Sequence, residues 1–203
     1  MNTYYIHYTS KTMDPCSPEK SMYKEAKANW LCTGCCSPKP GVQKVDVCIQ
    51  DEQPDGPLNI VSGCGVALGR RSFLTRFGEE RVAQHLRLGE VRGPDDQLVP
   101  DWVTFIGRHL LFVRGSKDAQ HRVCSDCGQN LYFGMGKRYL YPQPPKGVDL
   151  FQSHLWGLIV PGYIGEMLGI DESDGVWIEK LPVLDKPLDG LPAIVSNSGD
   201  QHA

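Results

Sequence analysis

Hydrophobic and polar residues alternate along several short stretches of the chain, which is the pattern of half-buried β-strands. Val45, Val47 and Ile49 alternate with Asp46, Cys48 and Gln50 in one such stretch. The aromatic run from Tyr4 to Tyr8 is rich in strand-forming residues and predicts a first strand. Further strands are predicted at residues 102–106, 110–113, 131–133 and 176–183.

Other stretches carry apolar residues at helical intervals. Residues 70–78 place Phe73, Leu74 and Phe77 on one side of a short helix that ends at a glycine. Residues 162–169 repeat this spacing, and a further short helix is predicted over residues 18–29. Short helices among many strands indicate an α+β fold.

The segment after the first of these helices shows a different period. Val82, Leu86 and Leu88 are an even number of positions apart, so they would lie on one face of a strand. This favours a strand through about Val91 over more helix. A helix followed by a strand would then occur twice, once here and once near residues 162–183. We therefore predict an α+β arrangement in which a few short helices pack on a mixed or antiparallel sheet.

The composition is that of an ordinary globular chain. The 203 residues are 40% hydrophobic and 22% charged, which suffices for one well-buried core, predicted as a single domain over residues 1–190. With 22 glycines and 15 prolines, many turns are expected, including a loop at residues 51–57. Residues 191–203, mostly turn formers and small polar residues near their end, are predicted to form a disordered tail.

Two features of the sequence bear on its compartment and partners. No basic segment followed by an apolar stretch stands at the N-terminus, and the longest apolar run is broken by glycine and proline, so a cytoplasmic protein is predicted. A formal net charge of −3 is too small to indicate a nucleic-acid or membrane partner by itself.

The eight cysteines carry the most specific chemistry in the chain. Clustered cysteines in a reducing compartment are typical of metal ligands, and two Cys-x-x-Cys pairs are present: Cys32 with Cys35, and Cys124 with Cys127. Two such turns complete a tetrahedral four-thiolate site of the kind that holds structural Zn²⁺. The predicted zinc-ribbon-like site therefore consists of two zinc knuckles, at residues 32–35 and 124–127.

The residues that follow the two pairs leave the identity of one ligand undecided. Gly128 follows the second pair and suits the positive-φ backbone that such a turn needs, whereas Cys36 stands at the corresponding place after the first pair. Cys36 could replace Cys35 as the ligand, although the two-residue spacing favours Cys35. The isolated cysteines Cys16, Cys48 and Cys64 are assigned no role.

The two pairs lie far apart along the chain. Cys35 and Cys124 are separated by 88 residues, whereas a local zinc ribbon has about 15–20. The pairing must therefore be tertiary, and it would tie an N-terminal region to a later hairpin while closing a long loop.

In the order of its parts, the chain from Tyr4 to about Leu184 resembles the double-CXXCG motif paralogous family of predatory soil bacteria. The shared parts include an aromatic first strand, Trp30 before the first knuckle, the strand at Val45 and the second knuckle with Gly128, followed by Asp149-Leu150-Phe151, a helix and a final strand. Some members of that family are immunity proteins encoded beside polymorphic toxins. The resemblance implies a non-catalytic immunity protein that binds and neutralises a cognate toxin.

The charge distribution suggests how such a partner would be recognised. Residues 149–189 carry eight acidic residues against two lysines, and an acidic face would attract a basic toxin domain such as a nuclease. Asp171, Glu172 and Asp174, in a glycine-flanked loop, are the predicted contact residues.

Two alternatives come from other functional classes. Residues 101–147 hold seven basic residues against three acidic ones, interleaved with tyrosine and phenylalanine, as in a nucleic-acid-binding zinc ribbon. An enzyme is disfavoured, because no phosphate-binding glycine loop, nucleophile elbow or His-Glu zinc pair is present, and His109 and His121 stand alone.

Overall fold

The fold was analysed in a computed structural model that describes residues 3–8, 12–13, 28–50, 56–61 and 66–194. It has the predicted α+β architecture, with mixed sheets and three short helices among the described residues. Every described helix is too short or too polar to cross a lipid bilayer.

A six-stranded sheet contains most of the N-terminal half. Its order is β2-β4-β5-β7-β6-β3, with parallel pairing only at β2–β4 and β3–β6. The strands are β2 (Thr12–Met13), β3 (Val47–Cys48), β4 (Leu58–Val61), β5 (Ala67–Arg70), β6 (Leu86–Arg92) and β7 (Leu98–Gly107). The predicted strand at Val45 to Ile49 is confirmed, although only two of its residues form a regular ladder.

A second sheet of five strands combines the two ends of the described chain. Its order is β13-β1-β12-β11-β8, and only β8 and β11 run parallel. The strands are β1 (Thr3–Tyr8), β8 (Leu110–Leu111), β11 (Phe151–Ser153), β12 (Leu158–Pro161) and β13 (Trp177–Pro182). The aromatic first strand and the final strand, both predicted, are therefore direct neighbours.

The helices are α1 (Arg71–Leu74), which continues into a 3-10 turn at Thr75–Phe77, α2 (Glu79–His85) and α3 (Gly162–Leu168). The helices predicted over residues 70–78 and 162–169 are confirmed. The strand predicted from Val82 is wrong at its start, because α2 runs to His85 and strand β6 begins only at Leu86. Val82 and His85 are both buried, as expected at a spacing of three residues on a helix.

The third sheet is a long hairpin of β9 (Val113–Val123) and β10 (Asn130–Leu140), with two irregularities in its register. A parallel bridge between Leu140 and Val183 joins the base of this hairpin to the chain just beyond β13. The second Cys-x-x-Cys pair forms the hairpin tip, as predicted. The sequence indicated only the short strand at residues 131–133, because many hairpin residues are polar and their burial follows no regular alternation.

The largest hydrophobic core lies between the two large sheets and includes all three helices. It contains Phe105 of β7, Phe77 beside α1, Val160 of β12 and Ile164 of α3, each fully buried. The six- and five-stranded sheets therefore share one core.

The segment after β13 packs back on the hairpin, and we call residues 184–194 the C-terminal strap. Arg114 and Asp189 form an ion pair in which neither side chain exposes any surface. Ile194 is 5% exposed and packs with Phe112 and Tyr132. This differs from the predicted tail, which was to begin at residue 191, and residues 195–203 lie outside the described residues.

Some predictions fall on other parts of the chain. Most of the helix expected over residues 18–29 lies outside the described residues, as do Cys16, Cys64 and the loop expected at residues 51–55. Cys48, which was assigned no role, is disulfide-bonded to a partner outside the described residues.

Candidate metal centre

The two Cys-x-x-Cys segments adopt the same backbone conformation. The amide of Cys32 donates to the carbonyl of Ser37, and the carbonyl of Cys32 accepts from the amide of Cys36, both at 2.8 Å. The same two hydrogen bonds, again at 2.8 Å, link Cys124 to the residues five and four positions after it. Each segment is thus a tight turn that directs two thiols to one side.

The shared backbone conformation of the two turns bears on the choice between Cys35 and Cys36, which the sequence left undecided. Cys36 has φ 57° and Gly128 has φ 72°, so both occupy the left-handed position that follows the second thiol. Cys36 is half-buried and packs against the hydrophobic cluster around Val45, whereas the thiol of Cys35 joins the other three. Cys35, not Cys36, is therefore a member of the four-sulfur cluster.

The four sulfur atoms lie at distances suited to a shared metal ion. The Sγ atoms of Cys32 and Cys124 are 3.8 Å apart, those of Cys35 and Cys127 are 3.6 Å apart, and all four lie within 4.8 Å of one another. A tetrahedron of sulfurs about 2.3 Å from a central zinc has edges of about 3.8 Å. A disulfide would require about 2.05 Å.

Contacts around the sulfurs hold the two turns against each other. The side-chain amide of Gln129 donates to the carbonyl of Pro38 at 2.7 Å, and the hydroxyl of Thr33 donates to the carboxylate of Asp126 at 3.4 Å. Gly34 leaves room for this contact, because a Cβ at its position would lie 2.5 Å from a carboxylate oxygen of Asp126 and this exposed side chain would have to shift. The cluster is thus also supported by contacts that do not involve sulfur.

The thiols differ in their acidity. A hydrogen bond from the backbone amide of Cys35 lowers the pKa of Cys32 to about 7. Burial raises the pKa of Cys35, and it raises that of Cys127 to about 12. Four adjacent thiolates repel one another, so a cation is needed for all four to be ionised together.

The four cysteine sulfurs suit a soft divalent ion and would occupy all of its coordination positions. Cys32 and Cys124 are 2% and 8% exposed, and Cys35 and Cys127 are half-buried. Four thiolates fill a tetrahedral coordination sphere, so no position remains for water or substrate. Such an ion would hold the segment before β3 to the tip of the hairpin.

The predicted contact residues Asp171, Glu172 and Asp174 lie apart from this cluster, in a 3-10 turn before β13. Asp171 and Asp174 cap this turn, each carboxylate accepting a backbone amide hydrogen. Asp174 also pairs with Arg76 at 2.5 Å. Two of the three carboxylates therefore stabilise the turn, and Glu172 is exposed.

The surrounding acidic region is partly neutralised within the fold. Four of its eight carboxylates pair with arginine: Asp149 with Arg81, Asp174 with Arg76, Glu179 with Arg138 and Asp189 with Arg114. The free acidic face is therefore smaller than a count of charges indicates.

Several basic and aromatic residues of the hairpin region are also engaged within the fold. Arg114 is buried in its ion pair, and Tyr132 and Tyr139 are 8% and 1% exposed. The hydroxyl of Tyr139 accepts a hydrogen bond from the amide of Leu188 at 2.7 Å. These positions pack as core instead of forming a stacking surface for nucleic acid.

The histidines considered as possible ligands are not part of the cluster. His121 lies 2.8 Å from the side-chain oxygen of Asn130, and the ring of His109 contacts that of Phe151 edge-on.

The chain matches no protein-family model and no curated protein.

One further feature was not predicted from the sequence. A cavity of about 470 Å³ lies beside the first knuckle, and most of its described walls come from residues 37–42, 106–112, 129–133 and 152–156. No local motif marks it, since its lining is assembled from segments that are distant in the chain.

Proposed function

We propose that the four-cysteine cluster binds a structural Zn²⁺ ion. The sulfur separations of 3.6 and 3.8 Å, close to the edge of a zinc–thiolate tetrahedron, carry this proposal. Four thiolates also suit iron, so the metal is tested directly. Elemental analysis of protein purified without added metal should give about one zinc per chain and a colourless solution. Stoichiometric iron would overturn the zinc assignment.

The cluster serves folding in this proposal. Replacing Cys124 with serine should remove the metal and markedly lower the midpoint of thermal unfolding, because metal binding is coupled to folding in closed thiolate sites. Cys36 offers a matched control, since its replacement removes a sulfur next to the cluster that is not one of the four members. A metal-free wild type that unfolds at the same temperature would contradict a structural role.

We further propose that the chain is a non-catalytic immunity protein that binds and neutralises a cognate toxin. The family resemblance supports this function, and a closed metal site is consistent with a braced binding surface. The expected partner is a toxin domain encoded by an adjacent gene, with a basic nuclease-type domain favoured by the acidic residues between 149 and 189.

Co-expression tests this function. The product of the adjacent gene should arrest growth when expressed alone, and simultaneous expression of this chain should restore growth. Purified proteins should form a stable complex. Arrest that persists despite ample soluble expression of this chain, with no complex formed, would refute the neutralising function.

The proposed contact at the acidic turn has its own test. Substituting Glu172 with lysine should weaken the complex, since this residue is exposed and its carboxylate does not cap the turn. Glu79, an exposed carboxylate at the start of α2, provides a control for a change of net charge. Equal effects of the two substitutions would place the contact elsewhere.

A cytoplasmic location completes the proposal and is tested by cell fractionation. Recovery of the protein in an oxidising compartment would overturn this part.

A further inference from the structure

A cavity of about 470 Å³ lies where the first knuckle, the end of β7 and the long hairpin meet. Its volume falls within the range of about 300–1,000 Å³ that is typical of small-molecule sites. The described part of its lining is rich in aliphatic and aromatic side chains, and the aliphatic ones are Val42, Ile106, Leu110, Leu131 and Leu155. The cavity therefore has the size and much of the apolar wall of a ligand site.

Three aromatic rings of the lining form a packed inner wall. The ring of His154 stacks on Phe112 with centroids 5.3 Å apart, and Tyr132 meets both rings edge-on, at 5.6 and 6.4 Å. Nδ1 of His154 accepts a hydrogen bond from the amide of Val113 at 3.1 Å, and the hydroxyl of Tyr132 donates to Asp189 at 2.8 Å. Burial lowers the pKa of His154 to about 4, so its ring is uncharged at pH 7. The fold thus holds this wall in place before any ligand binds.

Two further rings of the lining lie at the rim of the cavity and contact solvent. Phe133 of β10 is 61% exposed, and Trp156, in the turn between β11 and β12, is 39% exposed. Exposed aromatic side chains beside a concave apolar surface indicate a binding site, because a ligand would remove their apolar area from water. The rim therefore extends the aromatic surface of the inner wall to the entrance.

One buried polar side chain of the lining retains a hydrogen-bond donor for a ligand. Gln152 of β11 is 7% exposed, and its Oε1 accepts a hydrogen bond from the amide of Gly107 at 2.7 Å. This bond fixes the orientation of the side-chain amide, because Nε2 could not accept from Gly107. Within the described part of the chain, Nε2 of Gln152 donates to no acceptor. A donor at a fixed place in an apolar cavity favours a ligand that carries an acceptor.

We propose that this cavity binds a planar aromatic compound that carries a hydrogen-bond acceptor such as a ring carbonyl. The ring would lie against the aromatic wall, and the acceptor would face Nε2 of Gln152. Flat rings pack closely on other rings, and a single fixed donor sets the orientation of the ligand. The proposal is independent of the immunity function, and the cavity is separate from the acidic turn proposed as the toxin contact.

Titration of the full-length protein with coumarin, followed by ligand-detected NMR, tests this proposal. Octahydrocoumarin carries the same carbonyl group on a saturated, non-planar ring and is the matched control for planarity. Coumarin should bind at least about threefold more tightly, as expected when rings pair in addition to burying apolar area. Equal binding of the two compounds, or no binding of coumarin below about 1 mM, would overturn the proposal.

A variant at the rim localises the binding without altering the core. Phe133→Ala removes an exposed ring of the lining and should weaken coumarin by about threefold or more. Val123→Ala is the matched control, because Val123 lies on the same hairpin, is 58% exposed and is not one of the described lining residues. It should leave the affinity unchanged, and equal effects of the two substitutions would place the binding outside this cavity.

Gln152→Glu tests the donor separately from the ring. The variant keeps an acceptor for the amide of Gly107 but loses the Nε2 donor, so it should weaken coumarin by about threefold or more at about pH 8, where glutamate is ordinarily ionised. Naphthalene, a planar ring of similar size without an acceptor, should bind the variant as tightly as the wild type. Equal losses for the two compounds would overturn the proposed hydrogen bond from Gln152.

Discussion

The buried ion pair between Arg114 and Asp189 allows a quantitative test of how the C-terminal strap is held. The carboxylate of Asp189 accepts hydrogen bonds from Nε of Arg114 at 2.7 Å, the hydroxyl of Tyr132 at 2.8 Å and the amide of Leu191 at 3.1 Å. Asp189→Asn keeps the size of this side chain but removes its charge. Arg114 would then be a buried cation without a counterion, at a cost of about 3–5 kcal/mol.

This cost is large relative to the total stability of a typical domain, about 5–15 kcal/mol. Urea denaturation of the metal-loaded protein should therefore show a free energy of unfolding about 3–5 kcal/mol lower in the variant. The matched control is Glu179→Gln, which breaks the partly exposed pair with Arg138 and should cost no more than about 1 kcal/mol. Similar losses in the two variants would refute the reasoning from burial.

The pH dependence of the stability difference between wild type and Asp189→Asn provides a second measurement. Burial alone would raise the pKa of Asp189, but hydrogen bonds from Arg114 and Tyr132 outweigh it and hold the pKa below its usual value. A carboxylate with a lowered folded-state pKa contributes its stability above the unfolded value of about 3.9, and loses it as the pH falls through the folded value. The stability gap between wild type and Asp189→Asn should therefore narrow below about pH 4.

Three further predictions concern the knuckles. Gly128→Ala should cost about 1–2 kcal/mol in urea denaturation, because φ is +72° and the added Cβ meets no atom within 4 Å, which leaves only backbone strain; an unchanged midpoint would contradict it. Cys35→Ser should lose the metal whereas Cys36→Ser should retain it, as measured by elemental analysis, and the reverse result would exchange the ligand assignment. Gly34→Ala should change metal affinity by less than about tenfold in a chelator competition, because the close atoms of Asp126 belong to an exposed side chain that can turn away. A larger loss would show that this side chain is held in place.

The four-cysteine cluster could be predicted because each half of it is marked by a local motif. Each Cys-x-x-Cys spacing brings two thiols together within one turn, and a second pair is needed to complete a tetrahedron. The choice between Cys35 and Cys36 could not be made with certainty, since it depends on a positive φ that cysteine seldom adopts. The structure resolved this by giving Cys36 the same role as Gly128.

The spacing of hydrophobic residues predicts secondary structure less reliably where it fits both a helix and a strand. Val82, Leu86 and Leu88 fit a strand by parity, but Val82 and Leu86 are also four residues apart, as on one face of a helix. The chain uses the helical period up to His85 and the strand period from Leu86. A short segment of this kind contains too few residues to separate the two.

The interactions that the sequence did not reveal join residues distant in the chain. Arg114 and Asp189 are ordinary charged residues by composition, and only tertiary packing removes both from water. The cavity likewise combines segments that are distant in the chain, from the first knuckle to residue 156. Neither feature leaves a local pattern in the sequence.

The distance between the knuckles along the chain also constrains the order of synthesis. The segment from Cys32 to Cys127 encloses strands β3 to β9, so most of the six-stranded sheet leaves the ribosome before the last ligand does. The nascent chain offers only two of the four proposed ligands until residue 124 emerges. The proposed ion could therefore join the two turns only after the tip of the hairpin has been translated, and the strands between them cannot depend on it before then.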